Sequence, residues 1–177
     1  LGPTIELLSK KWFGTNNLHL LDQAASKVLP GASGLVFLLP RWKNGMVSVG
    51  EYEFIPNQNG TNDNIPNRSR AVLEGIAYAI TIIAGNQVKD FFAGGGGARS
   101  KIWIDAISTI LGVNIHVHNM SWEATGSADI AARMINKTNK EKRSCYTSCP
   151  QSDETSAEII KNNCNRLKEY YNERNWL

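Results

Sequence analysis

The order of apolar and polar positions along the chain predicts helices and strands in turn. Apolar residues recur at helical spacing over residues 5–13 and 18–28, which predicts two short helices separated by Gly14 and ended by Pro30-Gly31. The continuous apolar run 35–39 is typical of a strand buried on both faces. The first part of the chain is therefore expected to form two helices and one buried strand.

A shorter alternating pattern follows this strand. Residues 46–49 and 52–55 predict a hairpin, and the polar residues 57–64 predict a loop. Apolar side chains then cover most of the circumference of a helix predicted over 68–84, with Pro66 at a position where a helix can begin. This long helix is expected in the middle of the domain.

Four consecutive glycines, Gly94 to Gly97, separate a strand predicted over 88–93 from helical spacing that begins at Ile102. Glycines let the main chain turn sharply and let a flat or charged ligand come close to it. The helix that follows points its free N–H groups and the positive end of its dipole at the same place. The pattern indicates a nucleotide pocket, although a tight turn that needs positive φ has the same composition. It is neither a P-loop nor a dinucleotide fingerprint.

The second half of the chain continues the alternation. Residues 113–117 alternate as in a strand, and 123–135 predict a helix whose alanines permit close packing. The polar stretch 136–151 is expected to be a connection, and 153–174 an amphipathic terminal helix. This order predicts an α/β fold, with a sheet covered by helices, rather than a bundle or a sandwich.

Two pairs of polar side chains have an ordinary and a functional interpretation. Arg70 and Glu74 lie four residues apart on the long helix, and an exposed ion pair is the expected case. His116 and His118 lie on one face of their strand and suit metal ligation, but no third ligand is near, so we expect edge-strand histidines and no metal site. Neither pair by itself predicts an activity.

Composition narrows the class of protein. The 177 residues are 42% hydrophobic and 20% charged, which is ordinary for one globular domain, and the net charge of +3 is too small to predict a nucleic-acid partner. No apolar stretch reaches membrane-spanning length, so no membrane partner is expected. The three cysteines, Cys145, Cys149 and Cys164, suit neither a disulfide framework nor a zinc site. A cytoplasmic protein is expected.

Three short segments occur in a particular order. They are Gly-Leu-Val-Phe-Leu at 34–38, Arg-Ala-Val-Leu-Glu-Gly-Ile-Ala at 70–77, and Gly-Gly-Gly-Ala-Arg-Ser at 95–100 with Trp103 behind. Together with Glu-Ala-Thr-Gly at 123–126, they resemble the carboxy-terminal domain of the FGGY carbohydrate kinases. That group includes xylulokinases, gluconokinases and glycerol kinases.

The resemblance, over about residues 2–137, implies a ribonuclease-H-like domain of the actin-like ATPase type, with a mixed sheet flanked by helices. It implies that residues 1–177 form a single domain that supplies the adenosine side of a site for ATP and Mg²⁺. Ser100 also suits the N-cap of the helix that follows, and one hydroxyl can serve both purposes. The residues expected near the nucleotide are Gly95, Gly96, Gly97, Ala98 and Ser100.

The chain also departs from the family. Residues 41–45 replace the usual Gly-Glu-Arg-x-Pro-x-Trp stretch, and Ala128-Asp129-Ile130 replaces Gly-Ala-Ala. The family takes its catalytic aspartate and most sugar contacts from an amino-terminal half that this chain does not resemble. We therefore expect an ATP-binding domain of a kinase acting on a sugar or sugar-acid hydroxyl, with no catalytic residue of its own and inactive alone. The alternative is a non-catalytic interaction or regulatory module; a homodimer is left open.

Overall fold

Helices and strands follow one another in nearly the predicted order, and they alternate from residue 65 onward. A computed structural model describes residues 2–39, 42–43, 46–47, 52–56, 63–85, 91–118, 122–135, 145–148 and 153–174. The helices in these ranges are α1 (Gly2–Phe13), α2 (His19–Ala25), α3 (Ile65–Ala84), α4 (Lys101–Leu111), α5 (Trp122–Met134) and α6 (Glu154–Glu173). The strands are β1 (Val36–Leu38), β2 (Trp42–Lys43), β3 (Met46–Val47), β4 (Glu53–Ile55), β5 (Phe91–Ala93), β6 (Ile115–His118) and β7 (Cys145–Ser148).

Helix α3 occupies the middle of the domain, as its apolar circumference predicts. It begins three residues earlier than expected because the side chain of Asn64 caps it, accepting a hydrogen bond from the backbone N–H of Asn67 at 3.0 Å. Helices α2, α4 and α6 and strand β1 pack around it. A Cβ on Gly75 would lie 2.6 Å from the carbonyl oxygen of Phe37, so this glycine allows β1 to approach the helix closely.

The elements at the two ends of the chain also follow the pattern. Helices α1 and α2 are separated at Gly14, whose φ is +71°, and all three residues of β1 are buried. Helix α6 begins at a cap formed by Asp153 and buries Ile160 and Leu167 against the body of the domain. The predictions for these four elements are confirmed, with small differences in where each one ends.

The predicted hairpin of residues 46–49 with 52–55 is wrong. Strand β3 pairs with β2, whereas β4 pairs antiparallel with β1, with Phe54 opposite Phe37. The rings of Phe54 and Phe37 lie 5.3 Å apart, and the ring of Trp12 lies 6.3 Å from that of Phe54. Burial of this aromatic group favours the long-range pairing over a local turn. The predicted loop at 57–64 falls almost wholly outside the described residues.

A third sheet, made of β5, β6 and β7, is mixed and comes from the second half of the chain. Strand β6 runs parallel to β5 and antiparallel to β7, so its histidines belong to a middle strand and not to an edge. Strand β7 lies inside the stretch 136–151, where only a connection was expected. It forms because pairing with β6 satisfies its backbone, as when Thr147 faces His116 across the ladder. The prediction of an α/β fold is confirmed in the coarse sense of helices with a small mixed sheet.

The alanines expected to pack closely on α5 are not buried where the structure describes them. Ala128 and Ala131 are exposed, and Ile130 is 63% exposed. The small side chains of this helix therefore reflect helix propensity rather than a tight contact within the described parts of the domain.

Candidate functional site

The glycine turn joins β5 to α4, and its residues need glycine for different reasons. Gly95 has φ of +82°, a conformation that side chains with a Cβ rarely adopt. A Cβ on Gly97 would lie 2.0 Å from the Trp103 ring, so that position is glycine because of close packing. Gly96 has an ordinary right-handed helical conformation, and a Cβ there would meet no atom within 4 Å. Local structure therefore accounts for two of these glycines and not for Gly96.

A cavity of about 760 Å³ lies beside this turn. Such a volume is within the range of small-molecule sites, which are mostly apolar with a few polar groups. The turn and the start of α4 form one wall, and the other walls come from α1, from α3 and from α2 with the loop before it. The apolar side chains that line it are Ile5, Leu18, Leu21, Leu73, Ile76 and Trp103.

Polar groups of the cavity converge at the start of α4. The Ser100 hydroxyl donates a hydrogen bond of 2.5 Å to Asp22 Oδ1, and its oxygen accepts one from the backbone N–H of Trp103 at 3.3 Å. Ser100 is thus the N-cap of α4, as expected from its position, and it is buried. The Asp22 carboxylate stands behind the cap, where the positive end of the helix dipole stabilises it. His19 and Arg99 also line the cavity.

The predicted site residues divide into two groups. Gly96, Gly97 and Ser100 line the cavity. Ala98 is 3% exposed and packs in a core cluster with residues of α4 and β6, while Gly95 is an exposed residue of the turn. The assignment of all five to a nucleotide stays a prediction. Sequence reasoning missed Asp22, because it lies 78 positions from Ser100 and nothing in the pattern of α2 marks its carboxylate.

The face of α3 away from the cavity holds a buried carboxylate, so the expectation of an exposed Arg70–Glu74 pair is wrong. The Glu74 side chain is 0% exposed and accepts hydrogen bonds from Arg70 Nε at 2.7 Å and from the Tyr78 hydroxyl at 3.0 Å. The backbone N–H of Gly31 donates to both carboxylate oxygens, at 3.0 and 3.1 Å. Burial, with the Glu74 carboxylate nearby, raises the pKa of Tyr78 well above its usual value of 10.0.

This carboxylate holds an unusual turn in place. Residues 31–34 all have positive φ, including the two that are not glycine, Ala32 at +48° and Ser33 at +54°. Left-handed conformations cost about 1–2 kcal/mol for each residue with a Cβ. The Glu74 carboxylate accepts a hydrogen bond from the N–H of Gly31, and Asn163 Nδ2 on α6 donates one to the carbonyl oxygen of Gly31 at 3.0 Å. The turn and α6 cover Glu74, which is why a pair four residues apart is buried.

The two histidines of β6 contact neighbouring side chains. The His116 ring stacks on Phe92 with centroids 5.1 Å apart, and its Nδ1 lies 3.2 Å from the Thr147 hydroxyl. His118 is buried. Within the ranges given above, no three His, Cys, Asp or Glu side chains are grouped so that they could hold a metal ion.

The chain forms a mixed α/β domain, and part of several solved sugar kinases has a similar fold. Its structure is similar to the xylulose kinase from Rhodospirillum rubrum, with a TM-score of 0.71 and 23% identity over 97% of this chain. It is also similar to the gluconate kinase from Lactobacillus acidophilus, with a TM-score of 0.71 and 18% identity over 97% of this chain. Its similarity to Plasmodium falciparum glycerol kinase with ADP has a TM-score of 0.63, with 13% identity over 96% of this chain. At the level of the fold, these likenesses confirm the resemblance to the FGGY carbohydrate kinases.

The likeness covers only a part of each kinase. The chain spans 38% of the length of the xylulose and gluconate kinases and 37% of the glycerol kinase. No family model matches the sequence, and no curated protein matches it. None of the helices in the described ranges combines the length and the apolar character needed to cross a membrane.

Proposed function

We propose that this chain is the nucleotide-binding domain of an ATP-dependent carbohydrate kinase and that its cavity takes the adenosine part of ATP or ADP. The observation that carries the proposal is the open space over Gly96 in a cavity of about 760 Å³ with apolar walls. A purine needs flat apolar surfaces, and bare main chain lets it lie close to the backbone. The finer fold type, ribonuclease-H-like, and a cytoplasmic location belong to the same proposal.

In this proposal the domain binds and orients the nucleotide and does not perform the chemistry. Phosphoryl transfer to a sugar or sugar-acid hydroxyl needs a base for that hydroxyl and groups around the γ-phosphate. Mg²⁺ is held mainly by phosphates and one or two carboxylates. The phosphates and Mg²⁺ are assigned to the complementary half of the kinase, because the family that this chain resembles takes its phosphate-binding turn from its amino-terminal half. The chain alone is therefore expected to bind nucleotide without transferring phosphate.

Isothermal titration of the 177-residue chain with ADP tests the proposal. We expect a Kd of about 1 mM or tighter, which corresponds to about −4 kcal/mol. Gly96→Val should then raise the Kd at least about tenfold, because a branched side chain fills space above the turn. The backbone at Gly96 is in the right-handed helical region with no atom within 4 Å of a Cβ, so this variant is expected to fold normally.

Ala131→Val on the exposed face of α5 is the matched control, since it adds a similar side chain to a helical backbone away from the cavity. Its affinity for ADP should equal that of the wild-type chain. If the wild-type chain fails to bind ADP, the non-catalytic interaction module becomes the better interpretation of the fold. If ADP binds equally well to Gly96→Val, the nucleotide lies elsewhere.

A further inference from the structure

The cavity contains one carboxylate whose role the proposed function does not explain. Asp22 lines the cavity together with Ser100, and its Oδ1 is taken by the Ser100 hydroxyl at 2.5 Å. Among the described residues no hydrogen-bond donor reaches its Oδ2. Asp22 is half-buried, and the open space beside it is the cavity that it lines.

The position of this charge limits which part of a ligand can lie beside it. The N-terminus of a helix ordinarily attracts an anion such as a phosphate. Here the protein's own carboxylate already stands at the start of α4, and a phosphate next to it would meet a like charge in a partly desolvated site. The ligand atom that faces Asp22 must therefore be neutral or positive. Since a carboxylate only accepts hydrogen bonds, a ligand that pairs with Oδ2 does so through an N–H or O–H group.

We propose that Asp22 determines the specificity of the cavity by accepting, at Oδ2, a hydrogen bond from a donor on the nucleoside part of the nucleotide. That donor is a ribose hydroxyl or the exocyclic amine of the base, which are equivalent in hydrogen-bond chemistry. Ser100 is a positioning residue, because its hydroxyl holds Oδ1 and so turns Oδ2 toward the cavity. This inference rests on the proposed function, since it concerns the same cavity.

Titration with analogues that each lack one donor distinguishes the sources. The probes are ADP, 2′-deoxy-ADP, 3′-deoxy-ADP and purine riboside diphosphate, which has a hydrogen in place of the exocyclic amine. We expect the wild-type chain to bind one of the three analogues about tenfold more weakly than ADP, in line with the loss of one hydrogen bond to a charged group. The analogue that loses affinity identifies the donor.

Asp22→Asn tests the residue itself. Its amide oxygen can still accept from Ser100, but its NH₂ then faces the ligand donor, so affinity for ADP should fall about tenfold and the discrimination among analogues should disappear. Asp63→Asn, which removes an equal charge from an exposed carboxylate paired with Arg68, is the control and should bind as the wild type does. Circular dichroism and thermal melting of each variant check that it folds.

The outcomes separate this inference from the proposed function. If the wild-type chain binds no ADP, the proposed function fails and this inference fails with it. If ADP binding is lost in Gly96→Val but unchanged in Asp22→Asn, the cavity is the nucleotide site and Asp22 has no part in recognition. Equal affinity of the wild-type chain for all four nucleotides also overturns the assignment of Asp22.

Discussion

The Arg70–Glu74 pair gives the most direct test of how burial changes the contribution of an ion pair to the free energy of unfolding. The Arg70 side chain is 12% exposed and that of Glu74 is 0% exposed. Arg70→Met removes the 2.7 Å bond to the carboxylate and leaves a buried negative charge without its partner. Such a loss typically costs about 3–5 kcal/mol. Since a domain of this size has about 5–15 kcal/mol of total stability, the variant should lose a large part of it.

A second pair in the same protein provides the matched control. Lys101 and Asp105 have the same spacing and the same order of charges, but the Lys101 side chain is 78% exposed. Removing Lys101 as Lys101→Met should cost only about 0.3–0.5 kcal/mol, because water replaces the lost contact. Urea denaturation followed by circular dichroism gives both free energies of unfolding on one scale.

The double variant of Arg70→Met with Glu74→Gln adds an independent check. Glutamine keeps one acceptor oxygen for its neighbours and carries no charge, so this chain should be more stable than Arg70→Met alone. A simple sum of the two single losses predicts the opposite order. If Arg70→Met and Lys101→Met lower the free energy of unfolding by similar amounts, or if the double variant is the least stable, the Glu74 carboxylate is not buried as a charge and the reasoning is refuted.

Two further predictions concern packing and pH. Gly97→Ala should lower the free energy of unfolding by about 1–3 kcal/mol, because its Cβ collides with Trp103. Gly96→Ala should leave it unchanged or raise it by about 0.4–1 kcal/mol, and urea titration of both checks the contrast. Because the pKa of Tyr78 is raised above 10.0 on folding, the unfolded chain loses that proton first as pH rises, and stability falls above about pH 10. Tyr78→Phe should be less stable than the wild type at neutral pH, and the difference should shrink above pH 10; a constant difference would contradict the assigned cause.

Most of the helices can be predicted from local features of the sequence. The apolar circumference of α3 predicts a long helix, and Asn64 and Pro66 lie at its start. Helices α4 and α6 have the same kind of start, since Ser100 and Asp153 each cap the following helix with a side-chain oxygen. Each cap joins a side chain to a backbone N–H only three residues further on, so the start of a helix can be predicted from the local sequence.

Contacts between distant segments could not be predicted in this way. The pairing of β4 with β1 depends on the aromatic contact of Phe54 with Phe37. The burial of Glu74 depends on the turn that starts at Gly31, which lies 43 positions away along the chain. The Asp22–Ser100 contact spans 78 positions. The spacing of apolar residues within one segment does not predict such contacts, because each contact depends on how whole helices and strands pack together.

The sequence shows a run of glycines, and the structure shows why particular positions in it are glycine. Glycine in a right-handed helical conformation is about 0.5–1 kcal/mol less favourable than alanine, because its unfolded chain has more freedom to lose. Gly95 and Gly97 have local causes for being glycine, in a positive φ and in the ring of Trp103. Gly96 has neither: it lines the cavity, and a Cβ there would meet no atom within 4 Å. A residue that forgoes stability without a local cause is what a site kept open for a ligand requires.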